Sequence, residues 1–165
     1  MLRIGVEVLK LSNINGNFTT NNAREIFSRI PGVTIWENEG SGIQVNVGVR
    51  GLSPNRSWEL NTRQNGYDIS SDVFGYPEAY YNPPLEAVET ISLVRGGASL
   101  QFGPQFGGTL NYVLKTDSLG SELKIIGDYV YSNRTELNNF RSVYNFSPKN
   151  SFSLLSSLSM RNSNL

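Results

Sequence analysis

The sequence predicts an α+β fold, a small mixed β-sheet with short helices, followed by a run of antiparallel strands. Three observations carry this prediction. Period-two alternation recurs along the chain, most cleanly where Ile43, Val45, Val47 and Val49 alternate with Gln44, Asn46, Gly48 and Arg50. One segment alone, Asn22 to Ile30, has the 3.6-residue periodicity of an amphipathic helix. Charged residues make up only 17% of the chain and aromatics 11%, while Gly, Asn and Ser are plentiful, a mix that suits a turn-rich β protein and not a helical enzyme. With 165 residues the chain can hold one ordinary domain with a real core, or one small domain and a piece of another.

The elements follow in order. Residues 4–9 form a short strand. Asn22 can cap the helix, with Glu25 at capping-box spacing, and Ala23, Ile26, Phe27 and Ile30 make one apolar face that Pro31-Gly32 ends. Val33 to Trp36 is a strand, a polar turn runs from Glu37 to Gly42, and the alternating strand at 43–49 follows. Gly51 to Ser57 is a loop. Trp58 to Arg63 makes a strand that Asn65-Gly66, the strongest hairpin dipeptide, turns into Tyr67-Asp68-Ile69. Ser70 to Pro84 is a long polar and aromatic loop with Phe74, Tyr76, Tyr80 and Tyr81, and loops of that length in compact domains are usually functional. A helical turn at Leu85 to Val88 leads into a strand from Thr90 to Arg95. A Gly-rich stretch from Gly96 to Gly108 and a strand from Thr109 to Leu114 close the domain near Lys115.

Beyond Lys115 the pattern changes to segments of about ten residues with alternating character, the signature of transmembrane β-strands. Leu123, Ile125, Gly127, Tyr129 and Tyr131 share one parity; so do Phe140, Tyr144 and Phe146, and so do Phe152, Leu154, Leu158 and Met160. An ordinary antiparallel meander gives the same pattern, and the residues alone leave both readings open.

Several function classes are excluded or disfavoured. With no Cys and no His, disulfide scaffolds, thiol nucleophiles, Cys-ligated metals and every Ser–His triad are out. A formal net charge of zero gives no basic footprint, so no nucleic-acid partner is expected. No apolar run approaches the roughly 18 residues of a membrane-spanning helix. Residues 1–10 are interrupted by Glu7 and Lys10, lack a small-residue cleavage site, and do not read as a signal peptide. The Gly-rich stretch lacks the spacing of a phosphate-binding loop, so tight turns are the better reading. The pairs Glu37/Glu39, Asp68/Asp72 and Glu86/Glu89 sit in turns or near a helix end, where acids are common for local reasons, and neither catalysis nor a calcium loop at Asp68–Asp72 is expected. Arg56 and Arg63 lie near polar loops, where an anion site and a solvated charge are both open. The Tyr/Phe cluster from Phe74 to Tyr81 either stacks on a ligand or packs under its own loop.

Taken together, these segments resemble the plug domain of TonB-dependent outer-membrane receptors. The residues that carry the resemblance run from Asn22 to Val33, then Val49-Arg50-Gly51-Leu52, Asn65 to Ile69, Glu86 to Gly96, and Phe102-Gly103 through Gly107 to Lys115. Gly51-Leu52-Ser53-Pro54-Asn55-Arg56 and Phe102-Gly103-Pro104-Gln105 are similar to the ferric-dicitrate branch of that family.

The resemblance implies a plug at residues 1–115 and, at 116–165, the first strands of a barrel of about 22 strands. At roughly 10 residues per strand such a barrel needs on the order of 220 residues, so the chain is expected to be a fragment, truncated at both ends. Implied, too, are a location in the outer membrane of a Gram-negative bacterium and import of an iron chelate, ferric dicitrate or a related siderophore. TonB with its inner-membrane energising complex is the implied partner, and the mechanism needs no cofactor and no catalytic residue. The ligand site implied is drawn from Ser41, Arg50, Arg56, Tyr76, Glu78 and Gln101. Tyr76 and Glu78 stand where that branch carries glutamines, and a carboxylate there would repel citrate, so the chelate is left open. Arg50 and Arg95 are implied as a latch to the barrel wall, a role favoured over ligand contact for Arg50. The alternative is a soluble carbohydrate- or anion-binding module with no transport role, in which 116–165 completes a sandwich.

Overall fold

A computed structural model describes residues 5–14, 22–37, 45–54, 59–70, 81–83, 85–115, 123–131, 135–146 and 152–163. The predicted helix forms as α1 (Asn22–Phe27) and then tightens. Ser28 N–H still reaches back four residues to Arg24 O at 2.9 Å, but Arg29 and Ile30 reach back only three, to Ile26 O and Phe27 O. Pro31 follows, and the residue before a proline is disfavoured in the α conformation, so the helix closes sooner than its apolar spacing suggests. Ile26, Phe27 and Ile30 are all buried, as that spacing requires.

Five strands build the main sheet: β1 (Gly5–Lys10), β4 (Asn61–Gln64), β5 (Tyr67–Asp68), β6 (Val88–Arg95) and β7 (Thr109–Leu114). Their order is β1-β6-β7-β4-β5. All neighbours are antiparallel except β4 and β7, which run parallel, so the sheet is mixed as predicted. A second, two-stranded sheet pairs β2 (Val33–Glu37) with β3 (Val45–Val49).

Register fixes which residues share a face. Ile91 stands opposite Tyr112 and Leu93 opposite Leu110, and all four are buried. An irregularity between Val88 and Thr90 breaks the alternation and pairs Val88 with Leu114, which returns Val88 to the same side, where it is fully buried. This face joins Leu11, Ile14, the three helix residues, Val45, Val49 and Leu60 in one apolar core. The opposite face carries Thr90, Ser92, Asn111, Asn61 and Arg63.

β3 departs from the half-buried strand that its alternation predicts. Asn46 and Gly48 are buried along with Val45 and Val49. The chain after β3 folds back over Gly48 so closely that a Cβ there would lie 2.6 Å from Leu52 O. The turn Asn65-Gly66 forms with φ of 50° and 84°, the two positive values of a type I′ hairpin turn. The predicted helical turn is a 3-10 turn at Leu85–Ala87, and half of the Gly-rich stretch is a 3-10 helix, Gly96–Gln101.

A third sheet, in the order β10-β9-β8, is antiparallel throughout: β8 (Leu123–Tyr131), β9 (Thr135–Phe146) and β10 (Phe152–Ser163). Its register places Leu123 opposite Tyr144, Tyr144 opposite Leu154, and Phe140 between Gly127 and Leu158. The apolar positions of like parity therefore fall in common cross-strand rows, as their spacing predicts. Among the described residues no helix is long and apolar enough to cross a membrane, which says nothing of crossing by strands.

Candidate functional site

Of the predicted site residues, Ser41, Arg56, Tyr76 and Glu78 lie outside the described residues, as does Asp72 of the calcium-loop reading. Arg50, Arg95 and Gln101 are described, and two of them meet at one joint. Arg50 follows β3 in a left-handed conformation (φ 54°), exposed, with its backbone N–H on Gly32 O at 2.8 Å. Arg95 ends β6. Its Nη2 donates to Pro31 O at 2.6 Å and lies 3.3 Å from Glu7 Oε2, which faces it from β1. The Pro31-Gly32 stop of α1 thus gives one carbonyl to each arginine, and the ends of β3 and β6 are brought to the same place. Arg95 is only 14% exposed, and its Nε is buried with no hydrogen-bond partner among the described residues.

Gln101 is exposed at the end of the 3-10 helix, and its Nε2 donates to Ala98 O at 2.9 Å. The turn that carries it is held by Ser99 Oγ–H on Gly96 O and Phe102 N–H on Ser99 O. The glycines beyond serve close packing, as the sequence suggests. A Cβ at Gly107 would lie 2.5 Å from Glu59 O and 2.8 Å from Val49 Cγ2, so the backbone meets the core here only because no side chain intervenes. Phe106, next to it, is 90% exposed.

Reasoning from sequence missed a hydrogen-bonded polar cluster around Arg63. Arg63 is neither a solvated charge nor an open anion site. Its Nε donates to Asn61 Oδ1 at 2.6 Å, Nη1 to Gly66 O at 2.6 Å and Nη2 to Phe102 O at 2.7 Å, and the guanidinium lies 5.3 Å from the centre of the Phe102 ring. Asn61, buried in β4, passes the contact on: its Nδ2 donates to Asp68 Oδ2 at 2.8 Å. The other Asp68 oxygen accepts from the Ser70 hydroxyl and backbone N–H. Burial alone would raise the Asp68 pKa. The Ser70 and Asn61 hydrogen bonds and the nearby Arg63 charge outweigh it, and the carboxyl is held below its ordinary value. The signal that could have found the cluster is the alternation of Asn61, Arg63 and, across the turn, Asp68 on one face of a hairpin.

A further lock ties this hairpin to β7. Asn65 N–H donates to Tyr112 O, Asn65 Oδ1 accepts from Leu114 N–H, and Gly66 N–H donates to Asn111 Oδ1, all at 2.8–2.9 Å. At the base of the long loop, Tyr81 O–H donates to Gln64 Oε1 and Asn82 Nδ2 to Val45 O. Among the described residues no group of three or more acidic side chains is gathered to hold a metal ion.

The arrangement is that of a scaffold with tethered loops. The model of the TonB-dependent Receptor Plug Domain family matches residues 4–109, and the chain belongs to that family. The ferric enterobactin receptor PirA of Pseudomonas aeruginosa is 28% identical over 136 residues, which is 73% of this chain and 18% of that protein. The crystal structure of the ferric citrate transporter FecA in its unliganded form superposes with a TM-score of 0.74 at 24% identity, covering 95% of this chain and 25% of that one. At that identity the likeness is one of fold. The chain thus spans about a fifth of the length of that curated relative. One of these proteins is named a receptor and the other a transporter, and nothing in the comparisons favours the soluble-module alternative.

Proposed function

We propose that this chain is the gating plug, residues 1–115, and the opening barrel strands, 116–165, of a TonB-dependent receptor that imports an iron(III) chelate across the outer membrane of a Gram-negative bacterium. One observation carries the reading: a plug-family segment at 4–109 continues into three antiparallel strands of 9, 12 and 12 residues with apolar positions in register. Strands of about 9–11 residues suffice to cross a bilayer, and alternate positions then serve lipid and lumen. The plug is a non-enzymatic gate without a cofactor, and TonB, energised from the inner membrane, rearranges it. Ferric dicitrate and ferric enterobactin are the chelates to test, because the similar proteins are named for them. Arg50, Gln101 and the predicted Ser41, Arg56, Tyr76 and Glu78 supply the ligand-facing groups, Arg50 and Gln101 being exposed; Arg50 and Arg95 latch the plug to the barrel wall.

The test is uptake of radioactive iron by a Gram-negative host expressing the natural gene product that carries this chain, with and without TonB. The expected result is outer-membrane localisation and TonB-dependent uptake of one of the two chelates. Recovery in the soluble fraction, or uptake indifferent to TonB, overturns the reading.

A further inference from the structure

The geometry assigns Arg63 as a positioning residue that clamps the turn carrying Gln101 onto the β4–β5 hairpin. The inference rests on the proposal that Gln101 meets the chelate. Gln101 immediately precedes Phe102, whose carbonyl accepts from Arg63 Nη2 at 2.7 Å and whose ring lies under the guanidinium. The remaining nitrogens of Arg63 are committed to the hairpin, at Asn61 Oδ1 and Gly66 O. One planar fork therefore joins two segments 39 residues apart in sequence, and a lysine, with a point charge on a flexible stem, cannot reproduce all three directions.

The clamp is itself fixed from behind. Asn61 is buried and has its amide oriented by Asp68, so its oxygen must point at Arg63. Asp68 in turn is held by Ser70, and its charge lies close enough to that of Arg63, its cross-strand partner, to be stabilised by it. Charge-assisted bonds of this kind are the stronger class. Inside the turn, Ala98 O accepts from Gln101 Nε2 and Ser99 O from Phe102 N–H. Those bonds shape the turn, and Arg63 ties that shape to the sheet. Such a residue contributes to ligand affinity by removing the freedom of the group it holds.

The experiment uses the natural gene product with Arg63→Gln, Arg63→Lys, Gln101→Ala and the Arg63→Gln/Gln101→Ala double variant, probed with ferric dicitrate and ferric enterobactin. For the probe that the unmodified protein binds, Arg63→Gln is expected to weaken binding about tenfold, the size of one good contact. Arg63→Lys recovers only part, and the double variant is no weaker than Arg63→Gln alone, because both act on one contact. Amide hydrogen exchange over 96–106 rises in Arg63→Gln and stays unchanged over 91–93 and 110–112. Additive losses, or a Gln101→Ala without effect, overturn the positioning role; unchanged exchange over 96–106 overturns the clamp. Should the unmodified protein bind neither probe, the chelate reading fails with the ligand role, and exchange alone decides whether the clamp stands.

Discussion

The two faces of the five-stranded sheet are made by the same strands, yet they are held by different physics. On one, Ile91, Leu93, Leu110 and Tyr112 are buried in one core with the apolar residues of α1, and the stabilisation is area removed from water, about 25 cal/mol per Å² and indifferent to direction. On the other, Asn61, Arg63 and Asp68 hold one another and Phe102 O through bonds of 2.6–2.8 Å. There the strength lies in angles, and a side chain of the right volume but the wrong donors is no substitute. The apolar face makes the sheet a solid platform. The polar face decides which loops are attached to it, and where.

This contrast can be broken or sharpened by substitution in the natural gene product, with local stability read from hydrogen exchange of the β6 amides. Leu93→Ala attacks the apolar face and is expected to cost about 2–5 kcal/mol, the largest effect. Gly107→Ala tests the tightest seam between loop and core; with backbone 2.5 Å from the new Cβ, a loss of about 1–3 kcal/mol is expected. Asn61→Ala removes the relay on the polar face and strands a donor of Arg63 and an acceptor of Asp68. It is expected to cost about 1–3 kcal/mol, with faster exchange over 61–70 and 96–106. An equal rise over 91–93 would mean that the two faces are not separable.

The pH dependence separates them further. The Asp68 carboxyl is held below its unfolded value, so its contribution is complete above about pH 4 and is lost as pH falls through the lower folded value. The protection of amides over 61–70, taken relative to their intrinsic exchange rate at each pH, should therefore fall at acid pH, and Asp68→Asn should flatten that response. Tyr112 behaves in the opposite sense: burial raises its phenol pKa, so its ionisation waits for unfolding, and stability falls as pH rises above about 10. An absorbance titration of phenolate in Tyr112→Phe checks this. The smallest effect is expected at Val8→Thr on the edge strand, where the side chain is 57% exposed, within about 0.5 kcal/mol of no change.

Much of the platform was legible from sequence because it rests on periodicity. The helix face of Ile26, Phe27 and Ile30, the alternation through Ile91 and Leu93, and the Asn65-Gly66 turn each state their geometry within a few residues. The rows of β8 to β10 were legible for the same reason. Two things were not. The burial of Asn46 and Gly48 depends on Leu52 and Pro54 folding back, a tertiary event with no local signal. The partners of Arg63 lie at positions 61, 66 and 102, and no spacing rule links the last of these to the first. Arg95 falls between, since its position at a strand end was readable but its bond to Pro31 O was not. Of the residues proposed to face the ligand, only Arg50 and Gln101 are placed, because Ser41, Arg56, Tyr76 and Glu78 lie outside the described residues.

The strand order carries a consequence for how the molecule is made. β1 pairs with β6, with Gly5 opposite Arg95, and β4 pairs with β7, which begins at Thr109. A chain leaving the ribosome therefore exposes its first strand, with Val6, Val8 and Leu9, long before any partner exists. Loop closure over such distances is slow, and an unpaired apolar strand invites association with other chains during the wait. The topology that ties Arg95 and the Gly-rich turn to the sheet also leaves β1 unpaired until β6, which ends at Arg95, has been added.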